Sequence, residues 1–177
     1  MFEVREEIVY YDEASRRSWK EGGPWPHENH FGFYEAVVAA HFTMQGYQVV
    51  RRFTSTRPGD DRSVLGIYTK LFHAVVGDAV SAFFTHEIAS MSAMAGGQPD
   101  LFVFREEHPN DPHIRYADPR LWFFVEAKGL GDAVRENQKL IWRKIAERVD
   151  IGLGPDRIRL FRVVPRGKPY AARVVRY

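Results

Sequence analysis

A chain of 177 residues is long enough to bury a real core, and one domain is the expectation. With 45% hydrophobic and 14% aromatic residues it reads as globular, and no apolar run approaches the roughly eighteen residues of a membrane span. Zero cysteines exclude disulfides, cysteine-bound zinc and iron–sulfur clusters. The acidic start, Met1-Phe2-Glu3-Val4-Arg5-Glu6-Glu7, lacks the basic-then-apolar order of a leader, so a cytoplasmic protein is expected. The net charge of +2 hides an asymmetry: residues 151–177 hold seven Lys and Arg against one acid, Asp156, leaving the rest at −4. Such a basic stretch suits either a solvated strand face or a polyanionic partner.

Residues 1–27 read as a polar, irregular extension with at most a short helix, since Gly22-Gly23-Pro24 and Pro26 oppose a helix there. Residues 28–45 carry helical periodicity, with Phe31, Tyr34, Val38, Phe42 and Gln45 on one face and Gly46 as the stop. Glu28 and Glu35 fall on that face too. First-turn placement accounts for Glu28 and the edge of the stripe for Glu35, unless one of them points at a site. Tyr47 to Phe53 reads as a strand and 54–62 as a loop, in which Asp60 and Asp61 are exposed.

Residues 63–95 read as a helical insert in two pieces broken near Gly77. Val80, Phe83, Phe84, Glu87, Ile88, Met91 and Met94 form a core-packing stripe in the second piece. Two apolar, β-branched and aromatic runs follow, Gly97 to Phe104 and Leu121 to Gly129, both expected as buried strands. Between them the segment from Arg105 to Arg120 reads as a hairpin connection. Its His108, Asp111 and His113 have no fixed geometry for a metal. Asp132 to Val149 reads as a helix with Ile141, Ile145 and Val149 on its apolar face, and Gln138 and Trp142 lie alongside. Arg157 to Val164 and Tyr170 to Tyr177 read as strands, the last at an edge. The order gives an α/β fold with a central mixed sheet flanked by helices, one domain over 1–177.

The chemistry gathers at strand ends. Asp100 opens the first apolar run, and Glu126 and Lys128 close the second. Side chains two apart on a strand share a face, so Glu126 and Lys128 project together while Ala127 turns into the packing. If the two strands are neighbours, Asp100 reaches the same spot. Two carboxylates and an ammonium at the end of a buried sheet are costly unless compensated. A divalent cation on the carboxylates is the natural compensation.

A Pro-Asp, a spacer and a Glu-x-Lys on an apolar strand, after a helix carrying Glu, resembles the PD-(D/E)xK nuclease superfamily. Gly97-Gln98-Pro99-Asp100-Leu101, Val125-Glu126-Ala127-Lys128-Gly129 and the helix carrying Gln138 resemble its VRR-NUC family, over roughly residues 28–53 and 96–164. The resemblance implies a restriction-endonuclease-like core and Mg²⁺- or Mn²⁺-dependent hydrolysis of DNA phosphodiester bonds, with flaps, junctions or DNA ends as substrates. It implies metal binding by Asp100, Glu126 and the carbonyl of Ala127, activation of water by Lys128, and support from Gln138. The family's helix glutamate maps best on Glu28, with Glu35 as the second choice. The spacer from Asp100 to Glu126 is longer than in minimal members. A homodimer is compatible with this reading. The alternative is a catalytically inactive nucleic-acid-binding or scaffold domain that keeps the nuclease fold.

Overall fold

The structure, a computed structural model, describes residues 1–21, 32–51, 64–91, 97–105 and 121–177. It is an α/β fold in which, among the described residues, six strands form one mixed sheet flanked by four helices. The strands are β1 (Glu3–Tyr11), β2 (Gln48–Arg51), β3 (Leu101–Phe104), β4 (Trp122–Gly129), β5 (Ile158–Pro165) and β6 (Val174–Arg176). The helices are α1 (Glu13–Lys20), α2 (Phe33–Met44), α3 (Val64–Phe83) and α4 (Glu136–Glu147). The sheet order is β2-β3-β4-β5-β1-β6. β3 runs antiparallel to β2 and β4, whereas β4, β5 and β1 are mutually parallel and β6 closes the edge antiparallel to β1. A parallel pair needs a crossover, and α4 supplies it between β4 and β5.

β3 and β4 are almost wholly apolar because both of their faces are covered. On one face Phe102, Phe104, Trp122 and Phe124 pack with Phe72 and Phe84 and with Ile141, Trp142 and Ile145 of α4. On the other, Leu101, Val103, Phe123, Val125 and Ala127 pack with Ala36, Val38 and Phe42 of α2 and with Trp19 of α1. The break expected near Gly77 is present: within α3 it adopts φ 79° and ψ 174°, a conformation that favours glycine. Val80, Phe83, Phe84 and Ile88 of the expected stripe are buried, and Met94 lies outside the described residues.

Several expectations are corrected. Residues 1–21, the described part of the expected irregular extension, are ordered into sheet and helix: β1 occupies residues 3–11 and lies inside the sheet between β5 and β6, and the rest of the expected extension, 22–27, lies outside the described residues. Its buried side changes along its length. Val4 packs on the α4 face and Val9 and Tyr11 on the α2 face, which breaks the simple alternation of a half-buried strand. The helix expected over 28–45 is seen from Phe33, and Gln45 is its exposed C-cap. The helix expected from Asp132 begins at Glu136 and ends at Glu147, so Val149, 66% exposed, is off its apolar face and opens a 3₁₀ turn. Asp60, Asp61, His108, Asp111 and His113 lie outside the described residues.

Candidate active site

The pairing of Leu101 with Val125 sets Asp100 abreast of Glu126 at the end of the β3–β4 ladder. Asp100 is fixed there by the Ala127 backbone N–H, which donates to its Oδ2 at 2.9 Å. Glu126 is 1% exposed, and its Oε1 takes two donors. Lys128 Nζ lies 2.6 Å away, and Gln138 Nε2 of α4 donates to the same oxygen. Gln138 is itself aimed, because its Oε1 accepts from the Arg135 backbone N–H at 3.0 Å and this leaves the amide nitrogen facing Glu126. The structure thus brings together Asp100, Glu126, Lys128 and Gln138, and Ala127 packs on the opposite face.

The local chain path explains this convergence. Gly97 adopts φ 108° and passes so close to α4 that a Cβ there would lie 3.2 Å from the backbone of Asn137 and Gln138. The glycine lets the Pro99-Asp100 segment reach the head of the helix that carries Gln138. Gly129, directly after Lys128, admits the Tyr34 ring, which would stand 2.5 Å from a Cβ.

The site is electrostatically tense. Burial, and then the neighbouring Asp100 charge, push Glu126 well above the usual carboxylate range, against the opposing pull of Lys128. Burial raises Asp100 as well, although the Ala127 N–H and Lys128 oppose it. Glu126 Oε2 is buried without a hydrogen-bond donor among the described residues. An acceptor left open beside a second, half-buried carboxylate, Asp100, fits a cation. Among the described residues no cluster of three or more His, Asp or Glu is gathered for a metal. Two carboxylates are nonetheless a sufficient protein contribution for Mg²⁺, which keeps several waters.

Asp100, Ala127 and Lys128 open onto a cleft of about 540 Å³ that Glu35 of α2 also lines. Glu28, the other candidate helix glutamate, lies outside the described residues. Arg16, Lys20 and Arg135, which sequence reasoning passed over, line the same cleft.

The C-terminal cations are placed elsewhere, some buried within the fold and others on the surface away from this cleft. Arg157 is buried, donates to the Trp122 carbonyl at 2.6 Å and lies 4.2 Å from that indole's centroid. Arg159 stacks 3.9 Å from the Phe123 centroid, and Arg176 pairs with Glu3 at 2.7 Å. Arg162 is buried against Glu6 at 2.6 Å, and its Nη1 donates to the carbonyls of Gly129 and Asp132, both at 2.6 Å. Glu6 Oε2 in turn accepts from the Tyr170 hydroxyl and the Arg173 N–H. This hub ties β1 and the C-terminal segment to the loop that leaves Lys128. None of the seven basic residues lines the cleft at Asp100.

The mixed six-stranded sheet flanked by helices, with Asp100, Glu126 and Lys128 at the ends of adjacent strands, is an α/β domain with a restriction-endonuclease-like core. The VRR-NUC domain model matches residues 34–153, more than half of the sequence, and the chain belongs to that family. The matched span contains Glu35, Asp100, Glu126, Lys128 and Gln138, and it excludes Glu28 as well as β1, α1, β5 and β6. No curated protein and no solved structure matches the chain. Among the described residues no helix is long and apolar enough to cross a membrane.

Proposed function

We propose that this domain is a metal-dependent deoxyribonuclease that hydrolyses phosphodiester bonds at Asp100, Glu126 and Lys128. The observation that carries the reading is the meeting of those three side chains, with an open carboxylate oxygen on Glu126. Asp100 and Glu126 would hold Mg²⁺ or Mn²⁺, with the Ala127 carbonyl and Glu35 as further oxygen donors. Glu35 is the proposed helix glutamate, because it lines the cleft and falls within the family-matched span. A bound hard cation supplies Lewis acidity, which makes water nucleophilic near neutral pH and offsets phosphoryl charge.

The remaining work belongs to the chain itself. Lys128, anchored on Glu126, is 14% exposed in its side chain and so reaches the cleft, where its ammonium can orient the attacking water and meet developing negative charge. Gln138 holds the Glu126 rotamer, and the Ala127 N–H holds that of Asp100, so the carboxylates are set before substrate arrives. Flaps, junctions or DNA ends are the proposed substrates.

The test is cleavage of a labelled panel of duplex, flap, junction and single-stranded DNAs, with and without Mn²⁺. Metal-dependent products are expected from wild type and none from folded Asp100→Ala, Glu126→Ala or Lys128→Ala. Full activity in all three variants ends the proposal, and a folded wild type inert on every substrate would favour a binding domain that keeps only the fold.

A further inference from the structure

Two sets of cations among the described residues contrast with each other. Arg148, Arg162, Arg166, Arg176 and Lys139 are each in an ion pair with a carboxylate. Arg16, Lys20 and Arg135 line the cleft beside Asp100 and Lys128, and among the described residues none of the three is in an ion pair.

The fold fixes where they stand. α1 is anchored by buried Trp19, which meets Phe33 edge-on at 5.8 Å within the core on the α2 side of the sheet. Arg16 and Lys20, four apart, therefore share one face of α1. Arg16 Nη1 donates to the Tyr11 hydroxyl at 3.2 Å, and its guanidinium lies 5.5 Å from the Tyr34 centroid, so it is held in place with no carboxylate bonded to it. Arg135 stands at the head of α4, which packs on the opposite face of the sheet. The cleft is thus flanked from both layers by cations, while its acids are Asp100, Glu35 and Asp132. Asp132 is engaged, its Oδ2 accepting the Gly129 N–H at 2.9 Å.

Separated positive charges on either side of a carboxylate-and-lysine centre match a ligand with regularly spaced anions, not a single small one. We infer that Arg16 and Lys20 of α1 on one wall, and Arg135 on the other, grip the sugar-phosphate backbone flanking the scissile bond. The inference rests on the nuclease reading of the same cleft. It assigns substrate binding to a helix that precedes the family-matched span. Contacts of this kind position a strand without reading its sequence.

The salt dependence of binding tests it. Each duplex phosphate contact contributes about −0.9 to the slope of log affinity against log salt. Binding of a short fluorescent duplex would be measured without divalent cation, for wild type, Lys20→Gln, Arg135→Gln and Lys168→Gln. Both Lys20→Gln and Arg135→Gln are exposed changes and are expected to weaken binding and flatten the slope by about one. Lys168→Gln, in the C-terminal basic stretch and outside the cleft, is expected to match wild type. Wild-type slopes in the Lys20 and Arg135 variants, or an equal loss in Lys168→Gln, overturn the inference. If wild type still cleaves with Mn²⁺ in that event, the nuclease reading stands; a wild type that neither binds nor cleaves removes both.

Discussion

Gln138 and Glu6 show how single polar side chains hold this molecule in order. Gln138 is 6% exposed and touches Glu126 but lies behind it, so it acts by fixing the carboxylate. Loss of such an outer partner costs about 10–100-fold in metal affinity or activity. Gln138→Ala is therefore expected to cut cleavage by that factor and to shift the Mn²⁺ dependence to higher concentration, measurable by a metal titration of the rate. Unchanged metal dependence would reduce Gln138 to packing. Glu6 is a different case. Burial pushes its carboxyl up, but hydrogen bonds from Tyr170, Arg162 and the Arg173 N–H, with the Arg162 charge, together bring it below its ordinary 4.5. A lowered carboxyl stabilises the fold above the unfolded value, and that stability is lost as pH falls through the lower folded value. Wild type should thus lose stability below about pH 4.5, and Glu6→Gln should be less stable at neutral pH with a shallower acid loss, read from urea unfolding across pH. Removing one partner of a buried pair costs about 3–5 kcal/mol, so a Glu6→Gln protein as stable as wild type at pH 7 would contradict the hub.

At the scale of elements, the end of β4 is where several parts of the fold meet. Tyr34 of α2 lies over Gly129, and Arg162 of β5 holds the carbonyls of Gly129 and Asp132. Gly129→Ala puts a methyl into the Tyr34 ring, which is itself packed against Phe33 at 5.7 Å. Such overpacking costs about 1–3 kcal/mol. The expected result is a lower melting temperature and weaker cleavage, relieved by pairing Gly129→Ala with Tyr34→Ala; no relief would place the damage elsewhere. The apolar strands, the Gly77 break and the same-face projection of Glu126 and Lys128 were legible in sequence because each follows from local period or backbone freedom. The helix glutamate was harder to read: both Glu28 and Glu35 fall on the helical stripe, Glu35 lines the cleft, and Glu28 lies outside the described residues.

Across the whole molecule the sheet depends on both ends of the chain. β1, at the N-terminus, is sandwiched between β5 and β6 from the C-terminus, and the Glu6–Arg162 pair is buried at that junction. Sequence reading missed β1 because a charged residue sits at an inward position and the buried face switches after Ile8. It also counted Arg157 and Arg162 with the surface charge, since composition cannot tell an arginine that caps carbonyls from one that faces solvent. A fragment of residues 34–153, the family-matched span, lacks β1, β5 and β6 and leaves the parallel edge of β4 unpaired. It is expected to be unfolded or aggregated by circular dichroism and size-exclusion chromatography. A cooperative, monomeric fragment would show that the outer strands are dispensable.

The most direct test of the carboxylate pair as a metal-dependent centre is a calorimetric titration of the folded protein with Mn²⁺, repeated on Glu126→Gln. The neutral side chain keeps the shape of the site and removes one of its two carboxylates, the buried one. Saturable binding in wild type that disappears or weakens strongly in Glu126→Gln is the predicted result. No binding to wild type, or equal binding to both proteins, would contradict the account.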